Sequence, residues 1–262
     1  MNVKYLQYLR RIKKVCYNVQ YIEKRGEKYA ERYKTILPPH WDIELFPKEL
    51  PVYYFVSAFS HPILPIVKHD GISLYEWGLI PFWVKDILAA KEISNKTLNA
   101  MGETVFEKPS FRKCIASQRG LLGVNGFYEW RDFNKKKYPY LIQTKSDEIF
   151  SLGCIYETWV DYSSGEIKNT FSILTTAANP FMEKIHNIKK RMPLIISRED
   201  EAQWIDENLI KEQIIELIKP YPESDMTAHT ITQGANYQHK NRNIPEILKK
   251  IEYPELKDDS FL

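Results

Sequence analysis

Hydrophobic and polar positions divide this chain into a run of short strands through its middle, with helices on either side. PVYYFVSAF (51–59) and ISLYEWGL (72–79) are rich in β-branched and aromatic residues and predict strands. More strands are expected at 121–130 (LLGVNGFYEW), 138–144 (YPYLIQT), 149–160, 170–175 (TFSILT) and 227–232. Segment 23–35 (EKRGEKYAERYKT) reads as a short charged helix or turn, and 85–99 as a helix leading into a polar loop. NPFMEKIH (179–186) predicts a short helix with Asn179 as its cap and Pro180 at its first position. Over 198–218, Trp204, Ile205, Leu209, Ile214 and Leu217 fall at near-helical spacing behind Ser197 and Asp200, which resemble a capping box. That stretch predicts one amphipathic helix. The strands are not regularly interleaved with helices, so the pattern favours an α+β fold over a doubly wound α/β sheet. Without an internal repeat or a low-complexity linker, a single domain is expected.

Composition narrows the function classes. Hydrophobic residues make up 44% and charged ones 27% of 262 residues, the balance of a soluble globular domain. The 17 tyrosines and 6 tryptophans can fill a core, and they also offer stacking surfaces for bases. Three cysteines without CxxC spacing suggest neither a disulfide framework nor a metal site, and no cofactor motif is present. No apolar run is long enough to cross a membrane, and residues 1–14 lack a signal peptide's apolar stretch, so a cytoplasmic protein is expected. The net charge of +3 misleads, because Lys4, Arg10, Arg11, Lys13 and Lys14 lie in a terminal segment without an acid. Removing those five from 37 leaves 32 basic against 34 acidic residues. Nucleic-acid affinity in the remainder therefore requires a local patch.

Four residues could carry chemistry. Cys16 offers a thiol, though a lone cysteine is more often a small buried hydrophobe. Asn99, in TLNAMGET, is by default a turn or cap residue. Glu129, flanked by aromatics in GFYEW, could have a raised pKa or form a structural ion pair. His186 ends the predicted short helix ahead of a basic loop. Together they would make a nucleophile, a positioner and a proton-transfer pair, but such a set can be picked from most chains of this length.

Longer strings carry more information. WGLIPFWVKD (77–86), LNAMGETVFEKPSFRKC (98–114), GFYEW (126–130), LGCIYETW (152–159) and FSILTTAANPFMEKIHNIKKRMPLII (171–196) occur in this order. They closely resemble the SRAP family, the SOS response-associated peptidases, from about Cys16 to the helix near residue 218. The resemblance implies a mainly antiparallel, barrel-like β core with peripheral helices. Residues 16–250 would be the SRAP domain, 1–15 a non-native or cleaved extension, and 251–262 a solvated acidic tail. It also implies a monomeric sensor of abasic sites in single-stranded DNA, acting on the bacterial nucleoid. An N-terminal cysteine would condense with the sugar aldehyde, amine and thiol adding to one carbon to give a thiazolidine crosslink. Carried over by motif, Cys16 is the nucleophile and Asn99 the positioner, while Glu129 and His186 move protons. Thr175 would line the pocket, and Trp77 and Trp130 would stack beside the displaced nucleotide or simply pack the core. Lys108, Arg112 and Arg191 are further DNA-contact candidates.

The chain departs from the family's pattern in three places. Cys16 is followed by Tyr17 and Asn18 rather than Gly-Arg, and Met101 stands where the family's Asn-Ala-Arg block has its arginine. Asn187, Ile188, Lys189 and Lys190 separate His186 from Arg191, where the family commonly has one residue. Lys189 and Lys190 are expected to restore the phosphate-binding charge lost with the two arginines. Cys16 follows Val15, and valine is the internal reading of a GTG codon that can also start bacterial translation. Initiation at Val15 is the first expectation. Cleavage before Cys16, by the protein itself or otherwise, and a retained extension without crosslinking are the alternatives. A cysteine-type (auto)peptidase pairing Cys16 with His186, and a non-covalent single-stranded DNA-binding module, are the rival functions.

Overall fold

The computed structural model describes residues 18–21, 26–39, 47–237 and 241–259. Cys16, the proposed start at Val15 and the extension before it lie outside the described residues, as does part of the predicted helix at 23–35.

Five strands close into a barrel. They are β3 (Ile63–Lys68), β4 (Gly71–Trp77), β6 (Arg119–Val124), β9 (Phe150–Val160) and β10 (Ile167–Ala177), joined in the order β10–β4–β3–β6–β9 and back to β10. Closure leaves these strands without edges. Short strands extend the barrel: β5 (Asn99–Met101) and β11 (Arg191–Pro193) on β10, and β12 (Ile195–Ile196) on β9. A second, antiparallel sheet runs β13 (Met226–Thr230), β8 (Lys136–Thr144), β7 (Gly126–Phe133), β1 (Asn18–Tyr21), β2 (Tyr53–Ser57). The stretch 121–130, expected as one strand, spans two: the chain leaves the barrel with β6, breaks at Asn125 and enters the second sheet as β7. Asn125 reaches Glu148 O through its amide at that corner. The main core draws on barrel and sheet alike, joining Leu64, Ile66, Leu152 and Phe171 to Val19, Phe127, Tyr140 and Ile142.

The helices are short: α1 (Gly26–Tyr33), α2 (Ile87–Ser94), α3 (Cys114–Ser117), α4 (Pro180–Ile185), α5 (Glu201–Ile205) and α6 (Lys211–Leu217). The α4 cap is as expected, with Asn179 Oδ1 accepting the Met182 amide at 2.8 Å. The single helix expected over 198–218 is instead α5 and α6, interrupted after Ile205. Two carbonyls that helix continuation would use, those of Trp204 and Asp206, accept hydrogen bonds from the buried Arg119 guanidinium. Asp206 also turns the chain by accepting the Asn208 amide on its side chain. Ser197 and Asp200 form no capping box: Asp200 is the N-cap of α5 but its side chain accepts no helix amide, and Ser197 Oγ donates to the Asp200 carboxylate.

The first residues of the tail expected at 251–262 are attached through Tyr253, Glu255 and Leu256, together with the segment before them. Residues 241–256 dock on the second sheet. Asn243 Oδ1 accepts the Tyr54 amide at the edge of β2, while the Ile251 amide donates to Thr230 O at the edge of β13. Leu256 joins the main core, Tyr253 packs edge-on against Tyr138, and Glu255 accepts the Tyr138 hydroxyl proton.

Candidate functional site

Two strands assemble the site from segments far apart in sequence. On β10, β5 pairs in parallel with Asn99 opposite Ile173, and β11 pairs antiparallel with Arg191 opposite Ala177. The Asn99 and Arg191 blocks are thereby brought onto one scaffold. Their ends are tied together by Arg191, whose guanidinium donates to Glu103 at 2.6 and 2.9 Å and to Thr175 Oγ1 at 2.8 Å. Asn99, expected in a turn or cap, is therefore a half-buried strand residue.

The other strand is β7. Phe127 enters the main core, and alternation turns Glu129 toward that same face. Glu129 is 5% exposed, and its Oε1 has no hydrogen-bond partner among the described residues. Burial pushes its carboxyl up to about 8, against a weaker opposing pull from the Trp130 amide, Lys189 and Lys137. His186 closes the C-terminal end of α4 with Nδ1 3.6 Å from Glu129 Oε1. That separation is too long for a hydrogen bond. Nδ1 instead lies 2.8 Å from Arg191 O, and since a carbonyl only accepts, this nitrogen carries the proton and Nε2 is the acceptor. Burial, with Lys189, Lys137 and Arg191 nearby, lowers the His186 pKa despite the hydrogen bond to Arg191 O. Near neutral pH the two groups are thus a neutral carboxylic acid beside a neutral imidazole, not an ion pair. β1 begins at Asn18 opposite Tyr128, the neighbour of Glu129 on β7.

The remaining candidates divide by exposure. Trp77 is fully buried, stacked on Phe171 at 5.8 Å with its indole donating to Leu98 O, so it packs the core and presents no face to a base. Trp130 is half-buried, edge-on to Phe55, with its indole donating to Asn236. Thr175 is buried and holds Arg191. Lys108 and Arg112 are exposed, and Arg112 has no ion-pair partner among the described residues. Lys190 is engaged with Glu183 at 2.9 Å, and Lys189 is half-buried beside the Glu129–His186 pair.

Several residues of interest carry no motif signal. Glu103 fixes Arg191, and Lys137 reaches the pair from β8. Trp83, not Trp77, is the exposed tryptophan of its string at 46%; its indole donates to Pro109 O, and neighbouring Phe82 lies 4.2 Å beneath the Lys113 ammonium. Their places in the fold, the end of β4 and the turn beyond it, separate the two tryptophans. No group of three or more His, Cys, Asp or Glu is placed to hold a metal among the described residues. Cys114 and Cys154 are buried free thiols whose ionisation burial suppresses.

Comparison with known proteins fits this arrangement. The family model described as SOS response associated peptidase (SRAP) matches residues 20–237. The chain belongs to the SRAP family. Among curated SRAP relatives, the Bacillus subtilis abasic site processing protein YoqW is 37% identical over 197 residues, spanning 73% of this chain and 84% of that protein. Abasic site processing protein YoaM, also from Bacillus subtilis, is 35% identical over 204 residues, 76% of this chain and 86% of the relative. A crystal structure of a protein from Bacteroides thetaiotaomicron superposes with a TM-score of 0.80 at 37% identity, covering 89% of this chain and 99% of the other.

Proposed function

We propose that this SRAP protein captures abasic sites in single-stranded DNA as a covalent thiazolidine, through Cys16 once its α-amine is free. The observation that carries the reading is Glu129 and His186 buried 3.6 Å apart, with Glu129 on the strand that β1 pairs. Cys16 precedes Asn18 by two residues, a span of at most about 7 Å of extended chain. The curated relatives named as abasic site processing proteins supply the substrate class.

Amine and acid would act in sequence. A terminal amine with a pKa of roughly 8 is partly neutral at physiological pH and adds to the aldehyde carbon of the ring-opened sugar. Glu129, still protonated, gives its proton to the carbinolamine hydroxyl, which leaves as water. His186 Nε2 takes the thiol proton, and the sulfur attacks the resulting iminium carbon to close the five-membered ring. The iminium electron pair returns to nitrogen, and the proton on His186 returns to Glu129 through solvent. The sum is one C–N and one C–S bond formed and one water released, without an oxidant. Asn99, on the β10 scaffold, is the positioner of amine and sugar in this scheme. Trp130 and the exposed Trp83–Phe82 pair, next to Lys108, Arg112 and Lys113, offer the strand stacking and phosphate contacts.

The test is incubation of protein beginning at Cys16 with a single-stranded oligonucleotide carrying one abasic site, followed by a denaturing gel. A denaturation-resistant adduct with the parent and none with Cys16→Ala is expected. Binding without an adduct in both proteins would leave the non-covalent module, and an undiminished adduct in Cys16→Ala would remove the thiazolidine. Incubating the full chain alone tests the autopeptidase reading, through a new mass beginning at Cys16.

A further inference from the structure

The segment between His186 and Arg191 is longer here than the family's pattern, and the structure gives its first residue a specific attachment. Among the described residues, β1 pairs with β7 from Gly126 to Tyr128. Farther along that strand, Asp132 is met by Asn187: the Asp132 amide donates to Asn187 Oδ1 at 3.1 Å, and Asn187 Nδ2 donates to Asp132 O at 2.8 Å. One side-chain amide thus supplies both hydrogen bonds that a paired strand residue would make. The rest of the segment is held too. The Lys190 amide donates to His186 O at 2.8 Å with Lys190 at φ 51°, and Arg191 is anchored on Glu103 and Thr175.

We infer that Asn187 is a positioning residue that fixes His186 against Glu129. His186 is bonded to Asn187 through the chain, and Glu129 sits three residues before Asp132 on the strand that Asn187 grips. The stitch therefore ties the two members of the pair to one rigid frame. The charged groups facing the pair are Lys189 on the segment, Lys137 on β8 and Arg191 on β11. Misplacing a proton-transfer group by about 1 Å can cost a hundredfold in rate.

The catalytic part of this inference rests on the proposed crosslinking, so its test has two readouts. The first is the titration of His186 by imidazole NMR, which needs no substrate; the second is the pH profile of adduct formation. Asn187→Ala is expected to move the His186 titration toward the ordinary histidine value and to slow adduct formation at least tenfold. Asn187→Asp keeps the acceptor for the Asp132 amide, is the milder variant if the alanine protein does not fold, and should fall between the two. Asn243→Ala is the control, because Asn243 makes the same kind of stitch on β2, to Tyr54 N and Val52 O. It should leave the His186 titration unchanged. A His186 titration unmoved in both Asn187 variants, or moved equally by Asn243→Ala, overturns the inference. If the parent forms no adduct, the crosslinking reading fails while the NMR arm still decides the positioning.

Discussion

At the scale of single residues, Glu129 sets the pH behaviour. Its carboxyl is ordinarily half-ionised at 4.5 and in the fold only at about 8. Below pH 4.5 it is protonated whether the chain is folded or not, and contributes no pH dependence. Between those values the unfolded chain ionises while the folded one stays protonated, so the native state loses stability as pH rises. Glu129→Gln should therefore melt with the parent at pH 4 and above it at pH 8, a gain of up to about 4 kcal/mol. Equal melting at both values would contradict a buried neutral acid. The same substitution should slow adduct formation at least a hundredfold, because it removes the proton that expels water. The sequence singled out Glu129 and His186, which the fold brings 3.6 Å apart, because motif strings preserve residue type and order. It could not show that Glu129 and His186 are both neutral, since that follows from burial and from the direction of the Nδ1 proton. Trp77 and Trp83 share one string, and the fold tells them apart: Trp77 ends β4 inside the core, while Trp83 lies exposed in the turn beyond it.

Among the elements, strand positions were largely legible because β-branched and aromatic runs mark them locally. The helix over 198–218 was misread because its interruption comes from Arg119, about 85 residues upstream. That guanidinium takes the carbonyls of Ile115, Ala116, Trp204 and Asp206, closing α3 and α5 together while buried at the barrel wall. Arg119→Met should cost about 3 kcal/mol or more, since it leaves several buried carbonyls without donors. Urea unfolding measures this, and a loss under 1 kcal/mol would show that water replaces the guanidinium. The hairpin from β7 to β8 turns on Asn134 and Lys135, both left-handed, and carries Lys137 toward the pair. Lys137 and Lys189 both bear electrostatically on the pair, whereas Lys190, expected with Lys189 to restore the lost charge, is engaged with Glu183. Replacing Lys137 and Lys189 by alanine should flatten the salt dependence of single-strand binding by roughly one unit. It should also raise the Glu129 pKa, moving the high-pH limit of adduct formation upward. Lys190→Ala, which breaks the pair with Glu183, should change the slope less.

On the scale of the whole molecule, the barrel closes on itself, and the second sheet carries Glu129 on its β7 strand. The C-terminal segment, which the family model does not reach, shields that sheet at both outer strands. The acidic composition of its last part, 251–262, suggested solvent exposure. The few residues that dock it, Asn243, Ile247, Tyr253 and Leu256, are too scattered to form a periodic signal. Removing residues after Tyr237 should uncover Phe55, Tyr128 and Leu141, lower the melting temperature and promote association through the bared strands, readable by light scattering. The central claim concerns chemistry at one carbon, and the intact mass of the adduct tests it most directly. Protein beginning at Cys16, mixed with abasic single-stranded DNA without any reductant, should give the sum of the two masses less one water, stable to denaturation. An adduct that survives only after borohydride reduction would mean an imine without ring closure, and the absence of any adduct would contradict covalent capture altogether.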